Sequence, residues 1–155
     1  VYAFVGVLGA GRLVGLLEGS LFGEHPPAHG VPGVEAATGS LGHGLPLGLG
    51  MMLGMRLAKQ QGRVFALLSD GECNEGSVWE AAMMASAQHL DRLTVIVDYN
   101  KWQATGRSDE VLSLDPLAGK WSAFGWSVAE VDGHDIATLL DTFARLPFRR
   151  GAPSA

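Results

Sequence analysis

A chain of 155 residues has the length of one domain, and by surface scaling it buries roughly 70% of its unfolded surface, enough for one core. Apolar residues make up 47% and charged residues 17%, which excludes intrinsic disorder, and a net charge of −5 without a run of Lys or Arg excludes nucleic acid as the main partner. A single cysteine excludes an internal disulfide framework and a multi-cysteine zinc site, and it fits a reducing, cytoplasmic setting.

In chain order, the apolar stretch Val1 to Leu17 reads as the inside of a helix. It carries Arg12 at its middle and lacks the basic start of a signal peptide. From Ala36 to Met55 no residue carries a formal charge, a length that meets the criterion for a spanning helix. Six glycines (Gly39, Gly42, Gly44, Gly48, Gly50, Gly54), Pro46 and His43 interrupt it, and no basic or aromatic flanks accompany it. The expectation is therefore no membrane insertion, but a helix buried in protein with its backbone close to a neighbour. Leu47–Gln60 predicts a helix, and Arg63–Ser69 (RVFALLS) a strand buried on both faces. Ser77–Gln88 predicts a helix with Ser77 and Glu80 spaced as a capping box. Leu93–Asp98 (LTVIVD) predicts a second buried strand, and Asp115–Phe124 a helix. Trp126–Asp132 alternates like a strand near the sheet edge, and Asp135 is placed to cap a helix running to Leu146. Gly19–Gly44 and Tyr99–Asp115 are irregular, and long loops in a compact domain are usually functional.

Strands alternating with helices predict one α/β domain over residues 1–155, with a mostly parallel sheet and helices on both faces. Both ends are abrupt. No cap precedes the first helix, and FRRGAPSA stops where another strand is expected, so the domain reads as truncated at both ends.

Ligands of open parallel sheets bind beyond the carboxyl ends of the strands. Asp70 directly follows one strand and Asn100 lies two residues after the other. Neighbouring strands lie about 4.8 Å apart, so the two side chains of adjacent strands reach one ion. A carboxylate, an amide oxygen and a main-chain carbonyl are hard donors suited to Mg²⁺ or Ca²⁺. Gly71 lets backbone approach closely, and the helix beginning near Asn74–Ser77 aims its N-terminus at the same place, an arrangement that suits a diphosphate. On these residues alone an ordinary Asp-Gly turn is an equal alternative.

The whole pattern is more specific than its parts. SDGECNEGSVWEA, followed by DYNKWQATG with 30 positions from Asp70 to Asn100, resembles the thiamine diphosphate motif of transketolases. Upstream, HPPAHGVPGVEAATGSLGHGLPLG resembles the HP, PGVE and SLGQG segment of that family. The likeness covers nearly the whole chain and is closest to the N-terminal half-subunit of split bacterial transketolases. It implies the thiamine diphosphate-binding fold, with the cofactor held between this diphosphate-binding domain and a pyrimidine-binding C-terminal partner subunit in a homo- or hetero-oligomer. It also implies transfer of a two-carbon ketol unit between sugar phosphates, in the cytoplasm, by a chain incomplete on its own.

Residue by residue, the resemblance implies Asp70, Asn100 and the Trp102 carbonyl as metal ligands for Mg²⁺ or Ca²⁺. The N–H groups of Gly71 and Glu72 would hold the diphosphate, with Asn100 also counted among the cofactor contacts. Gly39 and Leu41 would flank the bent middle of thiamine diphosphate. Glu75 would be a carboxylate at the subunit interface, and His25 would contact the reacting end of the substrate. Ser69 stands where the family usually has Gly, and His43 where it has Gln. Competing readings are a deoxyxylulose-phosphate synthase-like or 2-oxo acid dehydrogenase-like component, or a non-catalytic scaffold; TGSLGHG and PGVE favour transketolase.

Other residues take plain readings. His29 is a surface loop residue, His89 ends a helix and His134 belongs to a turn. Cys73, the methionines and the tryptophans are packing groups. Gly44 and Gly48, like Gly50 and Gly54, are four apart and share a helix face. An obligate oligomer is expected, with Gly48 at its interface.

Overall fold

The computed structural model describes residues 3–8 and 35–155. Its central sheet has the order β2 (Ala36–Thr38), β1 (Ala3–Leu8), β3 (Arg63–Ser69), β4 (Leu93–Asp98). β3 and β4 pair in parallel with Ser69 opposite Asp98, as their apolar runs predict. Beyond β4 the parallel arrangement continues through single bridges from Ser154 to Thr94 and to Ser127. The α/β class therefore stands. The segment starting at Trp126 does run beside the sheet, but only as this bridged edge: Ser127 N–H donates to the Pro153 carbonyl and Ala129 N–H to that of Ala155. Pro153 to Ala155 thus occupy the strand position expected after the final loop.

Two expectations at the N-terminal side need correction. Residues 3–8 form a strand, not a helix, antiparallel to both β2 and β3. A six-residue apolar run cannot be told from a helix segment by periodicity, and Val5, Val7 and Phe4 favour a strand. Along β3 burial alternates: Val64, Ala66 and Leu68 are fully buried, while Phe65 and Leu67 on the opposite face are half-buried.

α1 (Gly44–Leu57) lies across β1, β3 and β4 and packs beside α2 (Gly76–Ala87). α1 starts three residues earlier than predicted because Pro46 falls in its first turn, where the missing N–H has no intrahelical partner to lose. At fourteen residues it is too short to cross a bilayer, and no helix among the described residues is long and apolar enough to do so. The capping box predicted at Ser77 and Glu80 is absent: Glu75 takes the N-cap position and Ser77 lies inside α2. Asp135 caps α5 (Ile136–Ala144) as expected, accepting from the Thr138 N–H at 3.1 Å and its hydroxyl at 2.7 Å. Leu117–Ala123 form α4. The stretch 99–115 is more ordered than its composition suggests. It holds a hairpin of β5 (Trp102–Gln103) and β6 (Gly106–Arg107), followed by the single-turn α3 (Ser108–Val111).

The core gathers Leu45 and Met52 of α1, Val64, Ala66 and Leu68 of β3, Val78, Ala81, Ala82 and Ala85 of α2, and Leu93 and Val95 of β4. Small residues along α2 let it sit close to the sheet. Trp121 is the hub of an aromatic cluster, 5.1 Å from Trp79 and 5.0 Å from Trp126 between ring centroids. Three of the four tryptophans are therefore packing groups. Trp102, 59% exposed, is not.

Candidate functional site

The parallel register of β3 and β4 brings the two carboxyl ends side by side, so Asp70 and Asn100 leave the sheet at the same edge. A 3-10 turn, Asp70–Asn74, follows β3 and leads through Glu75 directly into α2, whose N-terminus faces this edge. Asp70 is fully buried. Its Oδ1 accepts from the Gly71 N–H at 2.8 Å, and its Oδ2 accepts from the Ser108 hydroxyl at 2.6 Å. Asn100 is exposed; its Oδ1 accepts from the Trp102 N–H at 2.8 Å and its Nδ2 donates to Asp98 at 3.1 Å. That last pair of bonds folds the chain back so that the Trp102 backbone lies beside Asn100. Each donor oxygen keeps a lone pair beyond its single hydrogen bond.

Gly71 is buried, and a Cβ added there would stand 3.1 Å from Cγ of Gln103 on the hairpin. Glycine is required by that close approach. Buried Asn74 Oδ1 and Gln103 Nε2 have no hydrogen-bond partner among the described residues. Unsatisfied buried polar atoms call for a ligand, water or ion nearby. The donor set and these two atoms fit a divalent cation with a diphosphate. Among the described residues no group of three His, Cys, Asp or Glu side chains converges, so the fit is to a hard cation held by mixed oxygen donors, not to a zinc-type site.

Glu72 is also buried, and its side chain has a role the motif does not announce. Oε2 accepts from the Ser69 N–H at 3.0 Å and Oε1 from the Gly42 N–H at 3.2 Å. Burial pushes its carboxyl above the ordinary carboxylate range, opposed by those two donors. Gly42, at φ +77°, has Glu75 and Ser77 so near that an added Cβ would sit 2.4 Å from Cβ of Glu75. Gly39 and Leu41 precede it on an exposed turn, Leu41 being 41% exposed. His43 is exposed, its Nδ1 3.1 Å from the Leu41 carbonyl. Glu75 is half-buried, and no described residue pairs with its carboxylate.

Of the predicted site residues, Asp70, Gly71, Glu72, Asn100 and Trp102 meet at the strand ends, while Gly39, Leu41 and Glu75 flank them on the Gly42 side. His25 and His29 lie outside the described residues. Cys73 is buried and its thiol is pushed up to about 12 by burial and by the carboxylates of Glu72 and Asp70, so packing is its role. His134 sits in a turn, its N–H bonded to Asp132. Sequence reasoning missed Ser108 and Gln103, and the side-chain roles of Glu72 and Ser77. Only Glu72 had a local signal, since Ser69 and Glu72 have capping-box spacing. An open depression of about 570 Å³ lined by Glu35, Met51, Gly54, Met55, Gln60 and Gln61 lies away from these residues and shares none of them.

Residues 17–154 match the family described as transketolase, thiamine diphosphate binding domain. One of the two chains of the apulose-4-phosphate transketolase of Phocaeicola vulgatus is 39% identical over 135 residues, which is 87% of this chain and 48% of that protein. A 6-deoxy-6-sulfo-D-fructose transketolase subunit of a Clostridium species is 36% identical over 136 residues, 88% of this chain and 50% of the relative. The chain thus spans about half the length of such curated relatives. Among solved structures, a Pichia stipitis transketolase in complex with sedoheptulose 7-phosphate superposes with a TM-score of 0.75 at 25% identity, covering 84% of this chain and 21% of that one. The strand-end site, the fold and these similarities together identify the chain as a member of the transketolase family, comprising its thiamine diphosphate-binding domain.

Proposed function

We propose that the chain is the diphosphate-binding part of a split transketolase, active in transferring a two-carbon ketol unit between sugar phosphates only when joined to a pyrimidine-binding partner subunit. The observation that carries this reading is the adjacency of Asp70 and Asn100 at the carboxyl ends of β3 and β4, beneath the N-terminus of α2. Relatives named as single subunits of transketolases support a partner, and the chain's half-length match to them agrees with that. The names of relatives acting on apulose 4-phosphate and on a 6-sulfo sugar support a ketose with a terminal anion as the substrate class. Sugar phosphates are cytoplasmic metabolites, so the reading carries a cytoplasmic location.

In this reading Asp70, Asn100 and the Trp102 carbonyl hold Mg²⁺, or Ca²⁺ in its place, and the N–H groups of Gly71 and Glu72 take the diphosphate. Bound thiamine diphosphate supplies the electron sink for breaking a carbon–carbon bond next to a carbonyl. The chain's own residues anchor and orient. Buried Asp70 offsets the cation charge, and the α2 N-terminus favours the anionic diphosphate. Gly39 and Leu41 shield the cofactor's middle from water, Glu75 faces the partner, and His25 holds donor oxygens of the sugar. Against a scaffold role stands the buried Asp70, which a non-binding domain has no reason to retain at such desolvation cost.

The test is reconstitution. The chain is assayed for ketol transfer by itself and with the pyrimidine-binding subunit encoded beside it, in thiamine diphosphate and Mg²⁺. Activity confined to the mixture and lost with EDTA supports the reading; full activity of the lone chain, or none in the mixture, refutes it.

A further inference from the structure

Three bonds and contacts from one short segment converge on a single glycine. Glu72 Oε1 accepts the Gly42 N–H at 3.2 Å, and the Ser77 hydroxyl donates to the Gly42 carbonyl at 2.9 Å. The Cα of Gly42 lies against Glu75 so closely that a Cβ would overlap its Cβ at 2.4 Å. Both polar groups of the Gly42 backbone are therefore taken by side chains that flank the 3-10 turn and open α2. The same Glu72 carboxylate grips the Ser69 N–H at 3.0 Å, at the last residue of β3. One buried side chain thus bridges the strand end that presents Asp70 and the turn that presents Gly39 and Leu41.

We propose that Glu72 and Ser77 are positioning residues that lock the 39–43 turn onto the diphosphate site through Gly42, so that cofactor affinity depends on this lock although neither side chain touches the cofactor. The inference rests on the thiamine diphosphate reading of the site. Free in solution, a turn with Gly39 and Gly42 has many backbone states, and selecting one at the moment of binding costs affinity. The lock makes that selection in advance. Both carboxylate oxygens of Glu72 accept from N–H groups, so an amide in its place turns one of these contacts into a donor facing a donor. Ser77 needs only a hydroxyl, which threonine also carries.

The test uses the full chain with its partner, and the variants Ser77→Ala, Ser77→Thr and Glu72→Gln. Two quantities are read: hydrogen exchange of residues 39–43 without cofactor, and the thiamine diphosphate Kd by calorimetry with Mg²⁺. Losing one such bond is expected to raise Kd about tenfold. Ser77→Ala and Glu72→Gln should show this rise together with faster exchange at 39–43 and unchanged exchange in β3 and β4, while Ser77→Thr should restore both readouts. A structural role without positioning would loosen the whole sheet and would not be rescued by threonine. Wild-type protein that binds with variants unmoved in either readout overturns the lock alone. Wild-type protein that binds no thiamine diphosphate overturns the site reading, and the lock's role in affinity with it.

Discussion

The hydroxyl of Ser108, in the first turn of α3, donates a 2.6 Å hydrogen bond to Oδ2 of buried Asp70, thirty-eight residues away in sequence. This bond ties the loop after β4 to the strand end of β3 and fixes which way the Asp70 carboxylate turns. Its other oxygen is held by the Gly71 N–H. A carboxylate oriented on both oxygens is preorganised as a metal ligand, and partners of this kind commonly govern affinity by roughly 10–100-fold when removed.

Replacing Ser108 by alanine should therefore weaken Mg²⁺-dependent cofactor binding about tenfold. It should also destabilise the fold by about 1–2 kcal/mol, because Asp70 keeps its burial and loses a donor. Calorimetry and urea denaturation read the two effects separately. A variant with wild-type affinity would show that Ser108 only packs.

Gly42→Ala should be costly without touching any ligand. Its φ of +77° disfavours a side chain, and the new Cβ meets Glu75 backed by α2. A loss of about 2–4 kcal/mol is expected from the left-handed backbone and the overlap together. Thermal melts decide this, and a change below about half a kcal/mol would contradict the described turn.

The site itself was largely legible in the sequence, because strand ends, Asp-Gly and the following helix are local patterns. β3 and β4 match their predicted bounds residue for residue. What was not legible are contacts with no local period. Ser108 and Gln103 reach Asp70 and Gly71 only through the hairpin after β4, in a stretch whose Gly, Thr and Asn content reads as loop. Ser77 has the spacing of a capping residue, yet tertiary structure turns its hydroxyl to the Gly42 carbonyl. The N-terminal strand was misread because six apolar residues suit either a helix or a strand.

The glycines of α1 divide in a way that spacing alone did not predict. Gly44 and Gly48 are buried, whereas Gly50 and Gly54 have open space where a Cβ would stand, next to exposed Leu47 and Leu57. Gly48 therefore faces this chain's own interior, and the expectation that Gly48→Leu would weaken association more than folding is corrected. Gly50→Leu is the informative change. It should stabilise the isolated chain by about 0.5–1 kcal/mol through helix propensity while weakening assembly with a partner. Sedimentation beside thermal melts tests the opposite signs; assembly left intact would place the interface elsewhere.

Alkaline stability should carry the signature of Cys73. Its folded thiol is raised from 9.0 to about 12, so its contribution is whole below pH 9 and is lost as pH rises toward 12. The slope approaches about 1.4 kcal/mol per pH unit once the unfolded thiol is ionised. Tyr99, raised from 10.0 to about 12 by its hydrogen bond to Asp115, adds to the decline only above pH 10. Urea midpoints between pH 8 and 10 should fall for the wild type and stay nearly level for Cys73→Ala. Equal slopes in the two proteins would show the thiol to be accessible.

The most direct measurement is a calorimetric titration of the paired chains with thiamine diphosphate, in Mg²⁺ and in EDTA, for the wild type and Asp70→Ala. Asp70 is buried and bonded to Ser108 and Gly71, so the variant is first checked for cooperative unfolding. Saturable binding by the wild type in Mg²⁺, lost both in EDTA and in a folded Asp70→Ala, is the predicted result. Equal affinity in all three conditions, or no binding by the wild type, would contradict the assignment of a metal-held diphosphate to the ends of β3 and β4.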